Sequence, residues 1–290
     1  MILVDLNQVM ISNLMAQIGN HTNVEIDEGL VRHMVLNTLR ANRSKFFKEY
    51  GEMVICCDDK NYWRKKTFPY YKANRKQYRN KSELDWSSIF KTLNGIREDL
   101  KEIFPYKVIQ IETAEADDII GTIVHDIEGA LLVNGSSQPI LILSGDKDFI
   151  QLHAYPNVNQ YDPVRKKFVK HDNPDLYLKE HIAKGDRGDG IPNILSKDDC
   201  FINGRQKPLR SKLLNTIVEM NIEDVESGLE HYRANWNRNR RLVDLSLIPA
   251  QIRVKVKNAY EEENTKTRDK MFGYFIDKKL KNLIEHIGEF

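Results

Sequence analysis

The chain has 290 residues, of which 41% are hydrophobic and 30% are charged, and its net charge is only +2. This composition excludes an intrinsically disordered chain, and the length suits one large domain with or without a smaller one. No apolar run approaches the roughly 20 residues that span a bilayer, so we expect neither a membrane segment nor a secretory signal. The three cysteines lack CxxC spacing, which favours a reduced, cytoplasmic protein. The eight histidines show no HxH or HExxH spacing, so we expect no zinc site.

Strand and helix patterns alternate up to about residue 170, which is typical of a mostly parallel α/β sheet flanked by helices. Strands are predicted at residues 2–6, 52–58, 107–112 and 140–144. Helices are predicted at residues 8–18, 24–50, 86–104 and 115–128. A β-hairpin is predicted at residues 157–170, with Asp162 and Pro163 in its turn.

The strand pattern ends near residue 172, and the remainder of the chain is predicted to be helical. The predicted helices cover residues 173–184, 208–220, 236–247, 249–262 and 268–287. We therefore expect an α/β domain over residues 1–171 and a smaller helical domain over residues 172–290.

Eight carboxylates form the strongest functional signal in the sequence. Seven of them close or follow four successive strand-like runs, and the carboxyl ends of parallel strands form the ligand crevice of an open α/β sheet. The eight residues are Asp5, Asp58, Glu115, Asp117, Asp118, Asp146, Asp148 and Asp189. Acids crowded in this way repel one another unless a cation joins them. Oxygen ligands without histidine or cysteine indicate Mg²⁺ or Mn²⁺, and the usual substrate of such a site is a phosphodiester.

A basic and aromatic segment spans residues 60–81. It contains nine Lys or Arg residues, no acid and six aromatic residues. Cations can follow a phosphate backbone while aromatic faces stack on unpaired bases. The segment therefore predicts a single-strand contact, whereas the plain alternative is a solvated surface loop.

Four motifs, taken in this order and spacing, resemble the 5′ nuclease superfamily, which includes flap endonucleases and the 5′ exonuclease domains of bacterial DNA polymerases. They are LVDLNQ (3–8), AEADD (114–118), SGDKDF (144–149) and KGDRGDGIP (184–192). The YWRK and YYKANR stretches (62–75) and the terminal IGEF are most similar to the RNase H group of T-even phages. The resemblance implies a PIN-like, Rossmann-like sheet and a helix–three-turn–helix motif at residues 180–215.

The resemblance also implies roles for individual residues. One Mg²⁺ would be held by Asp5, Asp58, Asp117 and Asp146, with Glu115 and Asp118 nearby, and a second Mg²⁺ would lie toward Asp148 and Asp189; Mn²⁺ is a substitute. Residues 60–85 would form a helical arch in which Arg64 and Lys72 contact the scissile phosphate. Further nucleic-acid contacts would come from Lys65, Lys66, Tyr71, Arg75, Lys76, Arg79, Lys184, Arg187, Arg205, Lys207, Arg210 and Lys212.

By the same resemblance, the expected function is a metal-dependent phosphodiester hydrolase of DNA replication. It would remove RNA primers from RNA–DNA hybrids, cut 5′ flaps and degrade duplex DNA from the 5′ end. We expect a monomer inside a phage-infected bacterial cell, with the replisome's single-stranded-DNA-binding protein as a partner. A PIN-type ribonuclease on single-stranded RNA and a catalytically inactive nucleic-acid-binding protein are the alternatives. A sugar-cleaving enzyme would need one acid pair and no basic arch.

Overall fold

A six-stranded sheet forms the centre of the protein in the computed structural model, which describes residues 1–18, 27–82, 84–134, 138–220 and 230–290. The strand order across the sheet is β3-β2-β1-β4-β5-β6. The strands are β1 (Ile2–Asp5), β2 (Met53–Cys57), β3 (Lys107–Gln110), β4 (Ile140–Leu143), β5 (Val158–Asp162) and β6 (Lys167–Val169).

The first five strands are parallel, and β6 pairs antiparallel with β5. The central strands β1 and β4 are buried along their whole length, because helices cover both faces of a parallel sheet and leave no polar side. The predicted mostly parallel α/β sheet is therefore confirmed. The hairpin is confirmed as well, since Asp162 ends β5 and its Oδ1 accepts hydrogen bonds from the backbone of Val164 and Arg165 in the turn.

Helices precede and follow most strands. Those of the first part are α1 (Leu6–Ile18), α2 (Glu28–Tyr50), α3 (Trp63–Thr67), α4 (Ala73–Lys81), α5 (Trp86–Glu102) and α6 (Ala116–Asn134), with a 3₁₀ helix at Lys147–Ala154. Those of the second part are α7 (Pro174–Lys184), α8 (Cys200–Asn203), α9 (Ser211–Glu219), α10 (Arg233–Val243), α11 (Ala250–Glu261) and α12 (Met271–Asp277), with 3₁₀ helices at Leu245–Leu247 and Lys281–Glu289. Within the described ranges, no helix is both long and apolar enough to cross a membrane.

Two predicted helices are each interrupted in the structure. The helix predicted at 236–247 ends at Val243, because the Asp244 side chain accepts the backbone N–H of Ser246 and begins a 3₁₀ turn. The helix predicted at 268–287 ends at Asp277, and Lys279 adopts φ +58° before the chain resumes as a 3₁₀ helix. The prediction of a helix from residue 24 falls partly outside the described residues, which show α2 from Glu28.

The two faces of the sheet carry separate hydrophobic cores, and both include residues from the end of the chain. One core joins α1, α2 and α5 to Phe275, Leu283 and Phe290. The other joins α6 to Leu245, Ile252 and other residues of the 245–256 stretch. The last helices therefore return to the α/β layer after the chain leaves it at α7.

A third core connects the helical region to the basic segment. Phe68 and Tyr71 pack with Ile182, Ile194 and Trp236, all of them buried. The described parts of α7, α9 and α10 thus have a core of their own, which the basic segment completes. The predicted division of the chain at residues 171/172 stays a prediction.

A glycine turn after α7 brings the following acids back toward the sheet. Gly185 adopts φ 65° and ψ −173°, and its N–H donates to the His181 carbonyl at 2.8 Å. A Cβ at Gly185 would lie 2.3 Å from the carbonyl oxygen of Ile191. Only glycine suits both this conformation and this close backbone approach.

We expect Gly185→Ala to lower the free energy of unfolding by at least about 1–3 kcal/mol, which is the cost of this backbone region for a residue with a side chain. The matched control is Gly273→Ala in α12, where a Cβ meets open space. That control is expected to raise stability by about 0.5–1 kcal/mol, since alanine replaces glycine inside a helix. Urea denaturation of both variants measures the difference, and equal effects would contradict the proposed backbone constraint.

Candidate active site

The carboxyl ends of the strands bring four of the predicted metal ligands to one cleft. Asp5 ends β1, Asp58 follows β2, Asp117 lies in the first turn of α6 and Asp146 follows β4. All four line a cleft of about 590 Å³, together with Lys72 and other residues of the basic segment. Strands distant in sequence thus place their terminal acids side by side, as the sequence analysis expected.

Hydrogen bonds fix these acids at the strand ends. Ser144 donates through Oγ to Asp5 Oδ2 at 3.2 Å, and it accepts the N–H of Asp146 at 3.0 Å. Ser144 therefore joins the ends of the adjacent strands β1 and β4. Asp58 Oδ1 accepts the N–H of Ala116 at 2.7 Å, at the positive end of the α6 dipole.

The buried acids raise one another's pKa values. Burial raises the pKa of Asp5 to about 8, and the charges of Asp58 and Asp146 add to the effect. Burial raises the pKa of Asp117 well above its usual range, and neighbouring carboxylates including Asp148 raise it further. Without a cation such a cluster is costly to ionise, so its oxygen-only ligands fit a bound divalent cation.

Glu115 and Asp118 lie behind the cleft, where both carboxylates pair with the buried Arg64. Arg64 Nη1 contacts both carboxylates at 2.9 Å, and its Nε donates to the Leu242 carbonyl at 2.7 Å. Trp63 donates its indole N–H to Asp118 at 3.0 Å. In this structure the buried guanidinium holds the two carboxylates and α10. The expected contact of Arg64 with the scissile phosphate stays a prediction.

Lys72 reaches into the cleft from the basic segment. Its ammonium pairs with Glu115 and lies 3.6 Å from Asp189, and its side chain is 11% exposed. Burial alone would raise the pKa of Glu115 and of Asp189. The positive charge of Lys72 acts against burial at both acids. Together with Arg64 at Glu115 and Arg75 at Asp189, it outweighs burial, so both pKa values are lowered. These two acids are therefore held ionised beside cations, in contrast to the acids at the strand ends.

The basic segment is attached to the turn that carries Asp189. The N–H of Lys72 donates to the Asp189 carbonyl at 2.7 Å. The next residue, Gly190, has φ +73°, and a Cβ there would lie 2.8 Å from the Tyr70 carbonyl oxygen. Gly190 thus allows the segment to approach the turn closely.

A second cluster lies next to the cleft, and sequence reasoning identified only part of it. Asp148, His181 and Asp186 each offer one possible ligand atom, and these atoms lie within 4.8 Å of one another. Asp186 lies three residues before Asp189 in the KGDRGDGIP motif, so the motif itself could have indicated it. His181 lies on α7, and no spacing rule in the sequence connects it to Asp148.

The aromatic residues of the basic segment are mostly structural. Trp63, Phe68 and Tyr71 are buried, whereas the Tyr78 side chain is 54% exposed. The Tyr71 hydroxyl lies 2.9 Å from Asp189 and 3.0 Å from Glu115. In this structure Trp63, Phe68 and Tyr71 leave little ring surface facing solvent. The contact of Tyr71 with nucleic acid stays a prediction.

The predicted phosphate-binding cations are mostly exposed. Arg79 lies over the Phe90 ring at the edge of the cleft. Exposed residues of the basic segment are Lys65, Lys66, Arg75 and Lys76, and those of the helical region are Lys184, Arg187, Arg205, Lys207, Arg210 and Lys212. Their contacts with nucleic acid stay predictions.

Two family models together match the whole chain. Residues 1–182 match the 5′-3′ exonuclease N-terminal resolvase-like domain, and residues 172–290 match the C-terminal part of T4 RNase H. The first match covers the sheet, the basic segment and α7. The second covers all later helices.

Individual relatives agree with these matches. Ribonuclease H of Enterobacteria phage T4 is 30% identical over 99% of this chain and 95% of its own length. A 5′-3′ exonuclease of Buchnera aphidicola is 25% identical over 91% of this chain and 88% of its own length. The solved T5 5′-exonuclease with bound zinc ions has the same fold, with a TM-score of 0.59 and 16% identity over 90% of this chain and 98% of its own. The resemblance seen in the motifs is thus confirmed, and the chain belongs to the family of 5′-3′ exonucleases that includes phage T4 ribonuclease H.

Proposed function

We propose that this nuclease is a structure-specific, Mg²⁺-dependent phosphodiester hydrolase that removes RNA primers from RNA–DNA hybrids and cuts 5′ flaps during DNA replication. The single observation that carries the proposal is the cleft in which strand-end acids face Lys72 and Arg75. Acids alone would repel a phosphate backbone, and cations alone would only bind it. A cleft with both can hold a phosphodiester next to metal ligands.

The acids in and beside the cleft would hold two divalent metal ions, Mg²⁺ or its substitute Mn²⁺. Asp5, Asp58, Asp117 and Asp146 suit the first position by their shared cleft, and Asp148 and Asp189 suit the second. When bound, such ions lower the pKa of a water molecule and neutralise charge on the leaving oxygen.

The side chains around the cleft would bind and orient the substrate. Lys72 offers its ammonium inside the cleft. The hydrogen bond from its backbone N–H to the Asp189 carbonyl fixes where that ammonium can reach. Tyr71 and Arg64 keep Glu115 in place behind it. This division leaves Lys72 as the residue that directs a phosphate toward the acids.

The helical region would supply the specificity for branched structure. Seven exposed cations lie between residues 184 and 212, namely the six predicted phosphate contacts and Lys197. Phosphate contacts position a duplex without reading its sequence. A duplex held there would present its 5′ strand to the adjacent cleft. The binding of a single-stranded-DNA-binding protein and the monomeric state stay predictions of the family resemblance.

The test uses purified full-length protein with 5′-labelled substrates, each with Mg²⁺ and with EDTA. We expect short products from an RNA–DNA hybrid and from a 5′-flapped duplex, with single-stranded RNA left intact. Asp146→Asn is the matched inactive control, because it removes a charge from the cleft; it is expected to abolish cleavage and to keep flap binding.

Two outcomes would favour the alternatives. Cleavage confined to single-stranded RNA would identify a PIN-type ribonuclease. Tight flap binding without cleavage of any substrate would leave the catalytically inactive protein as the better description.

We expect Lys72→Ala to lower kcat by about 10²-fold or more, the scale of losing one preorganised donor to a developing charge. The comparison is Lys76→Ala, an exposed cation of the same segment, which is expected to raise KM for the flap and to leave kcat nearly unchanged. Single-turnover cleavage of the flap measures both. If Lys72→Ala only weakens binding to plain duplex, the lysine is a general phosphate contact.

We expect Arg64→Ala to lower the free energy of unfolding by about 3–5 kcal/mol without any nucleic acid present, since it leaves buried charges unpaired. Arg75→Ala is the matched control, because the Arg75 side chain is 47% exposed and Asp189 keeps Lys72 as a second cation without it; we expect a loss of about 1 kcal/mol or less. Thermal and urea unfolding measure both. Unchanged stability in Arg64→Ala, together with a loss of cleavage, would instead support the predicted contact of Arg64 with the scissile phosphate.

A further inference from the structure

The imidazole of His181 faces Asp148, an acid of the proposed second metal position, and the neighbouring Asp186. Its Nε2 lies 3.6 Å from Asp148 Oδ1 and 3.9 Å from Asp186 Oδ2, and the side chain is 13% exposed. The Nε2 atom itself is buried and has no hydrogen-bond partner. A buried polar atom without a partner is costly, so its direction toward two carboxylates calls for an explanation.

Each carboxylate has one oxygen near His181 Nε2, namely Oδ1 of Asp148 and Oδ2 of Asp186. Asp186 Oδ1 accepts the N–H of Asp189 at 3.1 Å, while Oδ2 faces the imidazole. Asp148 is fixed through its backbone N–H, which donates to Asp146 Oδ1 at 3.0 Å. The cluster therefore offers one nitrogen and two oxygens.

The ring of His181 is oriented by its own helix. Tyr177 lies one turn earlier on α7, and the two ring centroids are 5.8 Å apart. At the C-terminal end of α7, the N–H of Gly185 donates a hydrogen bond to the His181 carbonyl and so caps the last turn of the helix. The ring is thus preorganised before any ligand arrives.

The distances suit ligands of one ion. First-row divalent metals bind imidazole nitrogen and carboxylate oxygen at about 2.0–2.2 Å, so two ligands of one ion lie at most about 4.3 Å apart. The separations of 3.6 and 3.9 Å fall inside this limit.

We infer that His181 supplies a nitrogen ligand to the second metal position, beside Asp148 and Asp186, and that this position therefore prefers Mn²⁺ or a similar transition-metal ion to Mg²⁺. Imidazole suits first-row transition metals, whereas Mg²⁺ prefers oxygen ligands and keeps its waters. The inference rests on the proposed metal-dependent nuclease function. The first position, with oxygen ligands alone, keeps the Mg²⁺ preference.

The test is the binding of Mn²⁺ to the full-length protein without nucleic acid. Electron paramagnetic resonance counts bound Mn²⁺, and electron spin echo modulation reports a ¹⁴N coupling when an imidazole is bound to it. We expect this coupling in the wild type. In His181→Phe, which keeps a ring beside Tyr177, we expect it to disappear and Mn²⁺ affinity at this position to fall about tenfold or more, while Mg²⁺ affinity changes little.

The matched control is His286→Phe. His286 Nδ1 also lies close to a carboxylate, 2.9 Å from Glu289, but near the end of the chain. This variant is expected to keep the coupling and the Mn²⁺ affinity. His181→Asn carries the same test if His181→Phe does not fold, as judged by circular dichroism.

The failure of this inference can be told apart from the failure of the proposed function. A wild type that cleaves flaps but shows no ¹⁴N coupling, or a coupling that persists in the folded His181 variant, would overturn the role of His181 alone. That result would leave the imidazole as a packing neighbour of Asp148 and Asp186. A ¹⁴N coupling that depends on His181 in a protein that cleaves no substrate would overturn only the nuclease proposal.

Discussion

The mutual repulsion of buried carboxylates at the ends of the parallel strands is the constraint on which the rest of the structure depends. The strand order places β1 beside β4, where the direction of successive connections reverses, and this is where an open α/β sheet forms its crevice. Asp5 and Asp146 meet there, and Asp58 and Asp117 flank them. Burial removes water that would otherwise screen these charges, so the free protein holds the acids at raised pKa values.

The basic segment offsets part of this repulsion and also serves as core. Arg64 and Lys72 each contact Glu115, while Phe68 and Tyr71 of the same segment pack among the helices of the third core. One stretch of chain therefore connects the sheet, the acids and the helical region. Its aromatic residues are needed for this packing, which explains why a highly charged segment contains so many of them.

Features encoded within short stretches of sequence could be predicted, and features created by distant contacts could not. The apolar runs before Asp5 and Asp146 indicated buried parallel strands, and the strand-end positions of the acids then predicted one shared cleft. The packing of Arg64 could not be predicted in this way, because its partner Leu242 is 178 residues away and only the folded chain brings the two together. The return of Phe290 to the core of the sheet is likewise a tertiary contact without a local signal.

His181 shows the same limit most clearly. No motif spacing connects a helix residue to Asp148, yet Gly185 reverses the chain so that Asp186 comes back beside the imidazole. The same turn carries Arg187, a predicted phosphate contact, and Asp189, a predicted metal ligand. If the proposed function is correct, a duplex bound by the helical region and an ion bound at the second position both contact the short turn that follows Gly185. Because linkage is reciprocal, whatever duplex binding contributes to the affinity of that ion, the ion must contribute equally to the affinity of the duplex.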